Sequence, residues 1–126
     1  MGLIAAGVTL SACGTALPII KTQKETGDIL RIAVTGFTDK TNMLLVRNSS
    51  LSNDILLIKN NDGYSALYMR CTHEGVGLTA TTKKIFCPSH GSEFDLEGNV
   101  VKEPALRNLK KFRTEVNNND IIIHLI

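Results

Sequence analysis

From Asp28 onward the apolar residues fall in short runs broken by turn formers. Ile29-Leu30-Arg31-Ile32-Ala33-Val34 closes at Gly36, and Met43-Leu44-Leu45-Val46 closes at Asn48-Ser49-Ser50. Ile55-Leu56-Leu57-Ile58 and Tyr64-Ser65-Ala66-Leu67-Tyr68-Met69 flank Asn60-Asn61-Asp62-Gly63. No run carries an apolar stripe at the helical period, and β-branched residues are frequent, so each predicts a strand. Asp62-Gly63 between two such runs predicts a hairpin with a tight type I′ turn, which needs positive φ at both central residues. Further turns are expected at Glu97-Gly98-Asn99 and Asn117-Asn118-Asn119-Asp120, and the run Ile121 to Ile126 closes the chain. The expected fold is all-β, a sandwich or barrel occupying residues 27–126.

The amino-terminal stretch is different. Residues Met1 to Pro18 carry no side-chain charge, and Gly2 to Ala12 are small or apolar, running into Leu10-Ser11-Ala12-Cys13. An apolar core followed by small residues is the pattern of an export signal. The segment resembles a bacterial lipoprotein signal, in which Cys13 becomes the lipid-modified first residue of the mature chain. Residues 1–13 are therefore expected to be a signal and residues 14–26 a tether. The product is then periplasmic or on the outer face of a membrane, held there by lipid on Cys13; without a signal it is cytoplasmic. The first basic side chain is Lys21, so a basic region is expected upstream of Met1.

Composition narrows the partners. A chain of 126 residues fits one domain. Fourteen Lys and Arg against twelve Asp and Glu leave a net charge of +2, with no basic field to hold nucleic acid. Trp is absent and aromatics are 5%, leaving few platforms for stacking bases. No apolar run reaches the ~18–20 residues that span a bilayer as a helix.

The chemistry is concentrated in two clusters, Cys71-Thr72-His73 and Cys87-Pro88-Ser89-His90, separated by the thirteen residues Glu74 to Phe86. Each offers a thiolate and an imidazole within one tight turn, and each is followed by glycine, as His73-Glu74-Gly75 and His90-Gly91-Ser92. Glycine lets a loop close around an ion with positive φ. Two Cys and two His can also hold structural zinc, although zinc fingers typically keep both Cys together and both His together. A Cys71–Cys87 disulfide in an exported domain is a further alternative, but it leaves both His residues without a role. His124 alternates with Ile and Leu and is expected to be a strand residue, not a ligand.

Cys-Thr-His-Glu-Gly and Cys-Pro-Ser-His-Gly-Ser resemble the two cluster-binding loops of the Rieske iron–sulfur family. The resemblance extends to Phe94-Asp95, Gly98-Asn99-Val100-Val101 and Glu103-Pro104-Ala105, which match its trailing hairpin and proline-containing loop. It implies antiparallel sheets carrying two loops and a [2Fe–2S] cluster, with Cys71 and Cys87 on one iron and His73 and His90 on the other. It further implies that the Ser92 hydroxyl donates to a cluster-linked sulfur, while Phe94 stands where respiratory members have a second hydroxyl. Val76 and Ser89 stand where those members have a loop-tying disulfide. Rieske potentials span ~−150 to +300 mV, because two neutral imidazoles leave the site less negative than four thiolates do. The expected potential lies in the middle or lower part of that range. The implied function is one-electron transfer with a redox protein partner in the bacterial cell envelope. The alternatives are a ferredoxin feeding an aromatic-ring dioxygenase and a structural Cys2His2 zinc domain. A catalytic oxygenase would need a second, mononuclear iron site that one spare His cannot build.

Overall fold

The computed structural model describes residues 17–38 and 41–126. In chain order the strands are β1 (Ile19–Lys21), β2 (Ile29–Ala33), β3 (Met43–Arg47), β4 (Ile55–Asn60), β5 (Gly63–Tyr68), β6 (Thr79–Ala80), β7 (Ile85–Phe86), β8 (Glu93–Phe94), β9 (Val100–Lys102), β10 (Lys111–Asn117) and β11 (Asp120–His124). A single 3-10 turn, Val34–Gly36, is the helical element among the described residues. The all-β expectation is met.

Seven strands form the larger sheet in the order β1-β3-β4-β5-β10-β11-β2, and four form the smaller one, β6-β7-β8-β9. The larger sheet curls until its edges approach. Thr22, just after β1, donates its N–H to Arg47 O on β3 (3.0 Å) and its hydroxyl to Arg31 O on β2 (3.2 Å). Inside the curl lie Leu30, Ile32, Leu44, Val46, Ile55, Leu57, Ala66, Phe112, Ile121 and Ile123.

Strand β4 shows how the second layer is attached. All four residues of Ile55-Leu56-Leu57-Ile58 are buried, because successive side chains point to opposite faces and both faces are covered. Ile55 and Leu57 enter the curl. Leu56 and Ile58 face the other way, into a core shared with Leu67, Met69, Ile85, Phe94, Leu109, Cys71 and Cys87. Strands β5 and β10 pair directly, with Leu67 opposite Lys111 and Ala66 opposite Phe112. Residues 69–110 are thus an excursion between two neighbouring strands, and they carry the smaller sheet and both Cys/His clusters.

Two sequence expectations need correction. The stretch read as a tether contributes β1, which pairs in parallel with β3 (Ile19 with Leu45, Ile20 with Val46). The apolar Leu17, Ile19 and Ile20 drive this: Leu17 and Ile20 pack against the two cores, and the strand covers an otherwise open edge of β3. The β4–β5 hairpin forms, but its central residues are Asn61 and Asp62, and neither has positive φ. Gly63 takes the positive φ instead (+141°), so no type I′ turn is required. Cys13 and the proposed signal lie outside the described residues.

Candidate metal centre

Two loops present the Cys/His clusters, and they share one backbone design. In the first, Cys71 N–H donates to Val76 O (2.8 Å) and Gly75 N–H donates to Cys71 O (2.8 Å). In the second, Cys87 N–H donates to Ser92 O (2.8 Å) and Gly91 N–H donates to Cys87 O (3.0 Å). Each loop thus folds back on its own cysteine over the same residue spacing. Gly75 (φ +76°) and Gly91 (φ +83°) occupy the left-handed positions that allow this, as the glycines after each His suggested. The first loop is closed by the bridge between Arg70 and Gly77, and the second by pairing of β7 with β8.

The thiols and the imidazoles occupy different environments. Cys71 and Cys87 are free thiols, 2% and 1% exposed, in the same core as Phe94. His73 and His90 are exposed, their rings edge to face with centroids 5.1 Å apart. The disulfide alternative is therefore not realised. A single tetrahedral zinc ion would need all four donors about 3.5–4 Å from one another, given metal–ligand bonds of ~2.0–2.3 Å. Among the described residues the set whose ligating atoms lie within 4.8 Å of one another is His73, Glu74 and His90, and it includes neither thiol. A buried sulfur end set apart from an exposed nitrogen end is what a two-metal centre with unlike ligation requires. The donor set fits a [2Fe–2S] cluster held by two thiolates and two imidazoles.

Surrounding groups support the loops. Ser92 is fully buried, and its Oγ accepts the Ala105 N–H at 2.9 Å, which ties the second loop to the proline-containing loop. One proton remains on that hydroxyl to donate. Phe94 is fully buried and offers no hydroxyl. Cys71 Sγ accepts the His73 N–H at 3.4 Å, which ties the two candidate ligands of the first loop together. In the hairpin beyond the second loop, Asp95 Oδ1 accepts N–H bonds from Glu97 and Asn99, both at 2.9 Å. Burial pulls the Asp95 carboxyl upward, but these bonds from Asn99 and Glu97, with the charge of Lys111, hold it below the usual range.

Glu74 and Arg107 were not singled out in the sequence. Glu74 Oε1 lies 3.4 Å from His90 Nε2 and so links the two loops. The motif contained it, but only the three-dimensional approach of the loops gives it a partner. Arg107 donates to Thr72 O (3.2 Å), and the Thr72 hydroxyl donates to Arg107 O (2.7 Å), across 35 residues that no local pattern connects. His124 sits on β11 with its Nε2 2.8 Å from Glu115 Oε1, away from the loops; this hydrogen bond chiefly holds the Glu115 carboxyl below its usual range.

A β fold with two glycine-closed Cys/His loops defines a class of small iron–sulfur domain. The sequence profile of the Rieske [2Fe-2S] domain matches residues 32–113, and the chain belongs to that family. It is 40% identical over 55 residues to the cytochrome b6-f complex iron-sulfur subunit of Microcystis aeruginosa, covering 42% of this chain and 31% of that one. It is 34% identical over 71 residues to the chloroplastic subunit 1 of Nicotiana tabacum, covering 52% and 31%. The chain thus spans about a third of the length of these curated relatives. Among solved structures it is similar to the plasma membrane Rieske protein PetC3 of Synechocystis PCC 6803, at 32% identity and a TM-score of 0.55 over 65% of this chain and 85% of that one. A chain in the oxygenase–ferredoxin complex of carbazole 1,9a-dioxygenase superposes with a TM-score of 0.58 at 21% identity, which shows a shared fold alone.

Proposed function

We propose that this chain is a one-electron carrier of the bacterial cell envelope, with Cys71 and Cys87 as ligands of one iron and His73 and His90 as ligands of the other. The observation that carries the reading is the pairing of two buried free thiols with two exposed imidazoles on loops of matching hydrogen-bond design. The cluster supplies reversible uptake of one electron at moderate potential. The protein's residues supply everything else. Cys71 and Cys87 would hold the sulfur-ligated side in a buried core, and the hydroxyl of buried Ser92 would be free to donate its proton there. His73 and His90 would bring the other side to the surface, where a partner can approach.

The envelope assignment draws on the lipoprotein-type stretch ending at Cys13 and on the likeness to a plasma membrane Rieske protein. Cys13 is the proposed lipid attachment point, and the partner is a redox protein at the same membrane face. The ferredoxin and zinc alternatives have no observation of comparable specificity in their favour. Purified protein should contain two irons and two acid-labile sulfides and, once reduced, show the low average g-value of mixed nitrogen–sulfur ligation. Colourless protein that binds zinc and no iron would refute the reading. Radiolabelled fatty acid should follow the protein into the membrane fraction and be lost in Cys13→Ala; a soluble, unlabelled product would remove the anchor.

A further inference from the structure

Most of the arginines of this chain are neutralised. Arg31 pairs with Glu25 at 3.2 Å, Arg47 with Asp54 at 2.9 Å and Arg113 with Glu115 at 3.3 Å. Among the described residues Arg70 and Arg107 have no carboxylate partner, and both line one groove of about 600 Å³ beside the first ligand loop. Lys110, also without a carboxylate partner, lines the same groove, its Nζ 5.3 Å from the Phe112 ring centroid. The exposed His73 forms part of the wall. The acid present there, Glu74, is turned to His90.

One of these cations is tethered to the first ligand loop and a second lies close over it. Arg107 is clamped by its two hydrogen bonds with Thr72. The Arg70 guanidinium lies over Gly75, with Nη2 2.7 Å from the point a Cβ there would occupy. A tethered cation such as Arg107 loses little side-chain entropy when an anion arrives. The chain as a whole is nearly charge-balanced, so this is a local field at one imidazole and not a general basic surface.

We infer that this groove is the docking surface for an acidic patch on the protein that exchanges electrons with this chain. The inference rests on the electron-carrier reading above. Carboxylates of the partner would enter between Arg70, Arg107 and Lys110 and bring its redox centre against His73. Complementary charge of this kind raises the association rate and fixes orientation more than it adds affinity.

The test is the rate at which ferricyanide oxidises the reduced, cluster-loaded protein at low ionic strength, with and without a polyglutamate peptide as competitor. The triple variant R70Q/R107Q/K110Q should be slowed about tenfold, the lower end of electrostatic steering effects. The control K21Q/K59Q/K83Q removes the same charge elsewhere and should change the rate by less than about twofold. K110Q alone, whose side chain makes no hydrogen bond among the described residues, should slow oxidation by about two- to threefold. Polyglutamate should inhibit the parent protein and the control, but not the groove variant. Equal slowing by the two triple variants would overturn the inference, because net charge alone would then be responsible. Inhibition by inorganic phosphate but not by polyglutamate would also overturn it and assign the groove to a small anion. A preparation lacking the [2Fe–2S] spectrum would instead defeat the carrier reading; calorimetric titration of the parent and groove variants with polyglutamate would still decide the groove.

Discussion

Replacing Ser92 with Ala should have two separable effects, because the hydroxyl accepts one hydrogen bond in the fold and would donate another to the proposed cluster. As an acceptor it takes the Ala105 N–H at 2.9 Å, and both residues are buried, Ser92 at 0% and Ala105 at 1% exposure. Water cannot replace the lost oxygen, so the amide is stranded. An unsatisfied buried donor costs about 1–3 kcal/mol. As a donor to the proposed cluster, the same hydroxyl would face sulfur that becomes more negative on reduction, and a bond to a charged group is roughly twice as strong as a neutral one. Strengthening by about 1–1.4 kcal/mol upon reduction corresponds to a potential lower by roughly 40–60 mV in the variant, since ~59 mV is a tenfold change for one electron. Protein-film voltammetry reads the potential, and hydrogen exchange at the Ala105 amide reads the lost acceptor. Unchanged potential together with unchanged protection of Ala105 would refute the reasoning. A lower potential with unchanged protection would leave the donor role and remove the acceptor role.

Phe94→Tyr should raise the potential by restoring a hydroxyl near the thiolates; it should also cost about 1–3 kcal/mol of stability, because Phe94 is fully buried and the core must make room. Voltammetry and urea unfolding check the two effects. Asp95→Asn should destabilise the protein at neutral pH and lose that difference in acid. The folded carboxyl is depressed, so its contribution is fully present above the usual value near 3.8 and disappears as pH falls through the lower folded value. Urea midpoints from about pH 7 down to 2.5 should show the two proteins converging. Leu57→Ala and Leu56→Ala, adjacent on β4 and both fully buried, should each cost about 2–5 kcal/mol. Leu56→Ala alone should also speed cluster loss, followed by bleaching of visible absorbance, because Leu56 shares its core with Cys71 and Cys87.

The strands that could be read in the sequence were those with long apolar runs. β4 announced itself through four consecutive buried residues, and β11 through its isoleucines. Strands β6 to β9 have only two or three residues each and are held by loop hydrogen bonds and the shared core, so periodicity had nothing to work on. β1 was missed because three residues between Pro18 and the polar stretch Thr22-Gln23-Lys24 look like linker until an open edge on β3 is known to exist. The ligand loops were legible because glycine, cysteine and histidine sit within a few positions of one another. What joins the loops was not. Glu74 meeting His90, Thr72 clamping Arg107 and Ala105 meeting Ser92 are all contacts between separate loops.

The central claim is that two histidines and two cysteines share one diiron centre, with both imidazoles on the same iron. Electron–nuclear double resonance on the reduced protein, grown with 15N-histidine, tests this most directly. The account predicts two inequivalent, strongly coupled histidine nitrogens, with loss of the native spectrum when either His73 or His90 is replaced. A reduced cluster showing no histidine nitrogen coupling, or only one, would contradict it.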